Sequence, residues 1–104
     1  EGTEVAREKA AEALSNLAAN NADNQVAIAR AGAIGPLVAL LQEGTEAAQQ
    51  TAAGALSNIT AQGSGLAALK AASARDAVEA LLRSGSAEAK QAAQRLLQNL
   101  DRSE

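Results

Sequence analysis

The chain has no cysteine, histidine, methionine or aromatic residue, and a single proline in 104 positions. Each absence removes a class of chemistry. Without Cys or His there is no thiol nucleophile, no Ser-His-Asp triad and no nitrogen or sulfur ligand for a metal. Without aromatics there is no stacking platform for bases, and a net charge of −3 offers nothing to phosphates, so nucleic acid is not an expected partner. No apolar run approaches the roughly 18 residues of a membrane span. Residues Glu1 to Arg7 also lack the basic-then-apolar build of a signal peptide. A soluble, cytoplasmic chain with no membrane contact is the expectation, and the lack of cysteine fits it.

Catalysis and cofactors are not expected either. The GSG at 63–65 has no G-x-G-x-x-G or P-loop context and no strand before it, so it reads as a turn. Asp23, Asp76 and Asp101 fall at expected caps or helix ends, and most glutamates fall in first turns or on solvated faces. Asn58-Ile59-Thr60 matches a glycosylation acceptor but lies inside an expected helix.

What the chain does contain is alanine. Leu, Ile and Val number 13, 3 and 4, so most of the 47% hydrophobic share is Ala, which suits helices whose backbones pack closely. The sequence also repeats. EGTEVAREKAAEALSNLA at 1–18 returns as EGTEAAQQTAAGALSNIT at 43–60, and more distantly as SGSAEAKQAAQRLLQNLD from Ser84. Between them GPLVALLQEG at 35–44 corresponds to DAVEALLRSG at 76–85. Copies that begin at Glu1, Glu43 and Ser84 have a period within the roughly 40–47 residues of armadillo and HEAT helical repeats.

Each unit reads as three helices. Thr3, Thr45 and Ser86 follow glycine and precede the longest helix, as N-caps do. Its apolar stripe runs Ala6, Ala10, Ala13, Leu14, Leu17, then Ala48, Ala52, Ala55, Leu56, Ile59, then Ala89, Ala93, Leu96, Leu97, Leu100. A short helix capped by Asp23 and closed by Gly32 follows the first copy, and Pro36 opens the next helix. In the second unit GSG at 63–65 leads to a short helix ending near Ala72, then a capping box from Ser73 to Asp76.

GAIGPLVALLQ, a Gly-Thr turn and AAGALSNIT together resemble an armadillo repeat, and the resemblance covers essentially the whole chain. It implies an all-α, right-handed α-solenoid of about two and a half repeats. Residues 1–18 would be a leading third helix, 19–60 a complete repeat and 61–104 a C-terminal repeat with a polar cap, the whole forming one domain. It also implies a role for the returning asparagine, a mediocre helix former. In nuclear import adaptors of this family an Asn on each third helix grips the backbone of an extended peptide, using an amide that donates and accepts. The matching positions are Asn16, Asn58 and Asn99. Those adaptors carry Trp four residues earlier, where this chain has Glu12, Gly54 and Arg95, so a pocket for basic side chains is not expected.

Helical spacing outward from the Asn gives a shallow, mixed-charge concave stripe. It runs Val5, Lys9, Glu12, Asn16; Ala47, Thr51, Gly54, Asn58; and Glu88, Ala92, Arg95, Asn99. An extended peptide or protein partner would meet Asn16, Asn58, Asn99, Lys9, Glu12, Thr51 and Arg95, with weak affinity. The competing expectation is structural: amides near helix ends satisfy backbone groups between adjacent repeats, and the chain is a terminal or engineered module without a ligand. Gln94, Arg95 and Gln98 place polar bulk on the last helix, as a solenoid's terminal cap does. The first helix has no such cover, which predicts homo-oligomerisation through it.

Overall fold

The computed structural model describes residues 2–102, with side chains from residue 4 onward. Among these there are seven helices and no strand. They are α1 (Gly2–Ala18), α2 (Ala22–Arg30), α3 (Ile34–Glu43), α4 (Glu46–Ile59), α5 (Leu66–Ala71), α6 (Ala74–Ser84) and α7 (Ala87–Arg102). The three long helices carry the repeated alanine-leucine pattern, and α4 packs between α1 and α7. Helices α3 and α6 lie against α4 and α7, while α2 and α5 bridge neighbouring layers. The result is a short α-solenoid. No single helix is long and apolar enough to cross a membrane.

Local chemistry sets the boundaries. The Thr45 hydroxyl accepts from the Ala48 N–H at 3.1 Å and the Ser86 hydroxyl from the Ala89 N–H at 3.2 Å, both as the sequence predicts. The cap expected of Thr3 lies outside the described side chains. The glycine before each cap is there for space: a Cβ on Gly44 would stand 2.7 Å from the Leu40 carbonyl oxygen and 2.9 Å from Ala48 Cβ. Gly85 is placed the same way, 2.7 Å from the Leu81 carbonyl oxygen and 3.0 Å from Ala89 Cβ. These turns let each second helix fold tightly onto its third helix.

Two caps differ from expectation. Asn21, not Asp23, caps α2, its Oδ1 accepting from the Asn24 N–H at 2.9 Å, and Asp23 falls in the first turn instead. Ser73 stands before α6 but makes no capping bond, because its backbone is left-handed at φ 58°. That is the job Gly32 does at φ 88° in the preceding unit, where the absence of a Cβ makes the conformation cheap. Ser73→Gly is therefore expected to stabilise the fold by about 0.5–1 kcal/mol, seen as a higher urea midpoint at unchanged slope.

The core is one contiguous cluster. Ala48, Ala52, Ala55, Leu56 and Ile59 are all buried on α4, and Ala89, Ala93, Leu96 and Leu100 on α7, as the stripe predicts. On α1 the same stripe behaves differently. Ala11 and Ala18 are buried against the stack and Leu14 partly so, but Ala6, Ala10, Ala13 and Leu17 are exposed. The cause is coverage: α4 and α7 each have a second helix folded back onto them, whereas no described helix precedes α1.

Candidate functional site

A helix leaves its last four carbonyls without backbone partners. In this stack, side chains from neighbouring helices donate to several of them, the Ser15 and Ala18 carbonyls also accepting a turn N–H. The Asn58 amide nitrogen donates to the Ser15 carbonyl and to the Ser15 hydroxyl, both at 3.0 Å. One layer on, the Asn99 amide nitrogen donates to the Ser57 carbonyl and the Thr60 hydroxyl, both at 3.1 Å. Thr60 itself donates to the Leu56 carbonyl at 2.7 Å. The returning asparagine is thus a rung between successive third helices, one repeat apart. An amide suits the position because its NH₂ carries two donors to two acceptors.

Helix α2 does the same for α1. The Asn24 amide nitrogen donates to the Leu17 carbonyl at 2.7 Å, and that of Gln25 to the Ala18 carbonyl at 2.9 Å. At the far end Arg102 donates to the Ala61 carbonyl at 3.2 Å and to Asn99 Oδ1 at 2.6 Å. Sequence reasoning singled out none of Asn24, Gln25 or Arg102. The first two sit in a run, NNADNQ, whose polarity suggests a loop, and Arg102 ends the last helix. Their signal is positional, because polar side chains just past a third helix face that helix's open carbonyls.

These residues share one edge of the stack, and there a recess of about 700 Å³ opens. Asn58, Asn99 and Arg95 line it together with Gln98, Gln62 and Asn20. Gln25, 2% exposed with its Oε1 accepting no hydrogen bond among the described residues, also borders the recess. Of its charged groups, Asp101 is paired with Arg75 at 3.0 Å on the surface, an ion pair that contributes little to stability. Arg95 is exposed and makes no hydrogen bond or ion pair among the described residues.

The remaining predicted residues lie elsewhere on the same side. Asn16, Lys9 and Glu12 are exposed on α1, outside the recess. Thr51 is half-buried on α4 with its hydroxyl turned back to the Ala47 carbonyl at 3.0 Å. The three asparagines differ in what they can still offer. Among the described residues the Asn16 side chain has no hydrogen-bond partner, Asn58 keeps its Oδ1 unengaged, and Asn99, 7% exposed, has both its nitrogen and its oxygen engaged within the protein. Among the described residues no cluster of three carboxylates forms that would hold a metal ion.

The comparisons with known proteins agree with this architecture. The Armadillo/beta-catenin-like repeat model matches residues 21–61. A designed armadillo repeat protein superposes with a TM-score of 0.80 at 35% identity, covering 89% of this chain and 40% of its own. This chain therefore spans less than half the length of that relative. Curated protein sequences gave no match. With its long helices stacked in layers and its sequence recurring once per layer, the chain is similar in fold to armadillo-repeat proteins, and residues 21–61 match the repeat model of that family.

Proposed function

We propose that the chain is a non-catalytic interaction scaffold that binds an extended peptide along the amide edge of α1, α4 and α7, and favours an acidic residue beside Arg95. The observation that carries this reading is the Arg95 guanidinium, unpaired among the described residues, in the same polar recess as Asn58, whose carbonyl oxygen is likewise unengaged among them. A peptide N–H can donate to Asn58 Oδ1 while a carboxylate pairs with Arg95. Asn16 extends the edge toward α1, where Lys9 and Glu12 would face flanking side chains. Layers roughly 8–10 Å apart meet an extended chain, rising roughly 3.3–3.6 Å per residue, every two to three residues. The contacts are few and open to water, so affinity is weak.

The test is a titration of acidic, neutral and basic extended peptides, followed by backbone amide NMR signals. Acidic peptides should perturb residues around Arg95 and Asn58, and Arg95→Ala should weaken their binding about fivefold, the worth of about 1 kcal/mol for an exposed charge contact. If no peptide moves those signals, the scaffold reading falls. A second reading then stands, that of a purely structural or engineered repeat module. The internal use of the Asn58 and Asn99 amides favours it, since bonds within the fold account for those residues without a ligand.

A further inference from the structure

Ser57 is 3% exposed in the last turn of α4, yet its hydroxyl makes no hydrogen bond among the described residues. Hydroxyls in comparable places are bonded. Thr51, Thr60 and Ser84 donate to the carbonyl four residues earlier at 3.0, 2.7 and 3.0 Å, and one repeat before Ser57 the Ser15 hydroxyl accepts from the Asn58 amide nitrogen at 3.0 Å. The bond that repetition would give Ser57 goes elsewhere, because Asn99 donates to the Ser57 carbonyl and the Thr60 hydroxyl. What Ser57 lines instead is the polar recess, together with Gln25 and Asn58. The Gln25 nitrogen is held by the Ala18 carbonyl at 2.9 Å while its Oε1 accepts nothing among the described residues, and Asn58 keeps its Oδ1 open there as well.

We propose that the recess takes the side-chain amide of an Asn or Gln residue, seated among Ser57, Asn58 and Gln25. Two amide oxygens and one hydroxyl there have no partner among the described residues, so acceptors outnumber donors. A buried acceptor left unmet is costly, and the group that fits must bring N–H donors. An ammonium would bring them, but Arg95 and Arg102 repel it, and Asp101, the one carboxylate on the recess among the described residues, is already paired with Arg75. A primary amide carries no charge, offers two N–H donors, and has an oxygen to accept the Ser57 O–H. It can share Asn58 Oδ1 with a peptide N–H, since that oxygen has two lone pairs. Placing this residue beside an acidic one in an extended peptide rests on the reading under Proposed function; the preference for an amide rests on Ser57 and is independent of it.

Three capped amino acids without an acidic group, N-acetylglutamine methylamide, N-acetylasparagine methylamide and N-acetylmethionine methylamide, test this when titrated into the whole chain and followed by NMR. At least one of the first two should move the Gln25 side-chain amide and Ser57 backbone signals, and which one does so tells Gln from Asn; the methionine compound should move neither signal. In acidic extended peptides, that amide residue in place of Met next to the acid should tighten binding about fivefold, the worth of one hydrogen bond. Ser57→Ala should erase this preference, leave the preference for an acid intact, and unfold at an unchanged or higher urea midpoint, since it removes a hydroxyl with no bond inside the fold. No shift with either amide compound overturns the proposal even where acidic peptides bind at Arg95, as does an amide preference that survives Ser57→Ala. A lowered urea midpoint for Ser57→Ala overturns it too, by assigning the hydroxyl to the fold. Shifts with an amide compound where no acidic peptide binds uphold the amide site and overturn the acidic anchor at Arg95 instead.

Discussion

Leu56→Ala is expected to destabilise the protein by about 3–5 kcal/mol, the upper part of the range for burying a leucine-sized void. Leu56 is fully buried on α4, the helix that touches α1, α3 and α7. Its helical neighbours are Ala52, Ala53 and Ala55, all 0% exposed. Alanines have no side chain to swing into a vacated space, and the helices bearing them are already in close approach, so the cavity stays open. A domain of this size has about 5–15 kcal/mol in all. The variant should therefore lose a large part of its stability, lowering the melting temperature by more than about 10 °C. Urea unfolding checks it, the midpoint falling while the slope is held. A loss below about 1 kcal/mol would show that the layers slide together, and the rigid-stack description would fail.

The second large effect is graded along the asparagine series. Asn99→Ala should cost about 1–3 kcal/mol, because it removes the donor to the Ser57 carbonyl in the last turn of α4, deprives buried Thr60 of a partner and leaves Arg102 without its amide acceptor. Asn58→Ala should cost less. The Ser15 carbonyl it serves also accepts from the Ala19 N–H at 3.1 Å, and the site is only half-buried. Asn16→Ala should fall within about 0.5 kcal/mol of the parent, since Asn16 is exposed and its side chain bonds to nothing among the described residues. Three identical substitutions in three copies of one motif thus separate the fold-supporting amide from the available one. Equal costs at all three positions would defeat this explanation of the motif.

The repeat, the three-helix unit and the Thr45 and Ser86 caps are readable in the amino-acid order because each rests on spacing within one segment. The direction of the amides is not. Helical spacing puts Asn58 and Asn99 on one edge, but whether an amide turns to solvent or to the neighbouring helix depends on how far that neighbour is displaced along its axis, a relation between segments a whole repeat apart. The same applies to α1. Its alanines match those of α4 letter for letter at positions 6, 10 and 13, yet they are exposed, because burial belongs to the covering helix and not to the residue. Ser73 shows a third kind of difference. A serine followed three residues later by aspartate looks like a capping box, but the connection retains the left-handed geometry that Gly32 adopts one unit earlier, and in that geometry the Ser73 side chain makes no capping bond.

The polar surface of α7 also decides where concatenation is possible. A further unit joined behind Arg102 would have to seat its helices on the exposed Gln94 and Gln98, which stand where α4 has the buried Ala53 and Ser57. A duplicate of residues 19–60 spliced in ahead of Ala61 would instead place an α4-like helix between two others, with a serine carbonyl on one side for its asparagine and an asparagine on the other for its own serine. Lengthening by internal duplication keeps every rung occupied, and the terminus stays as it is.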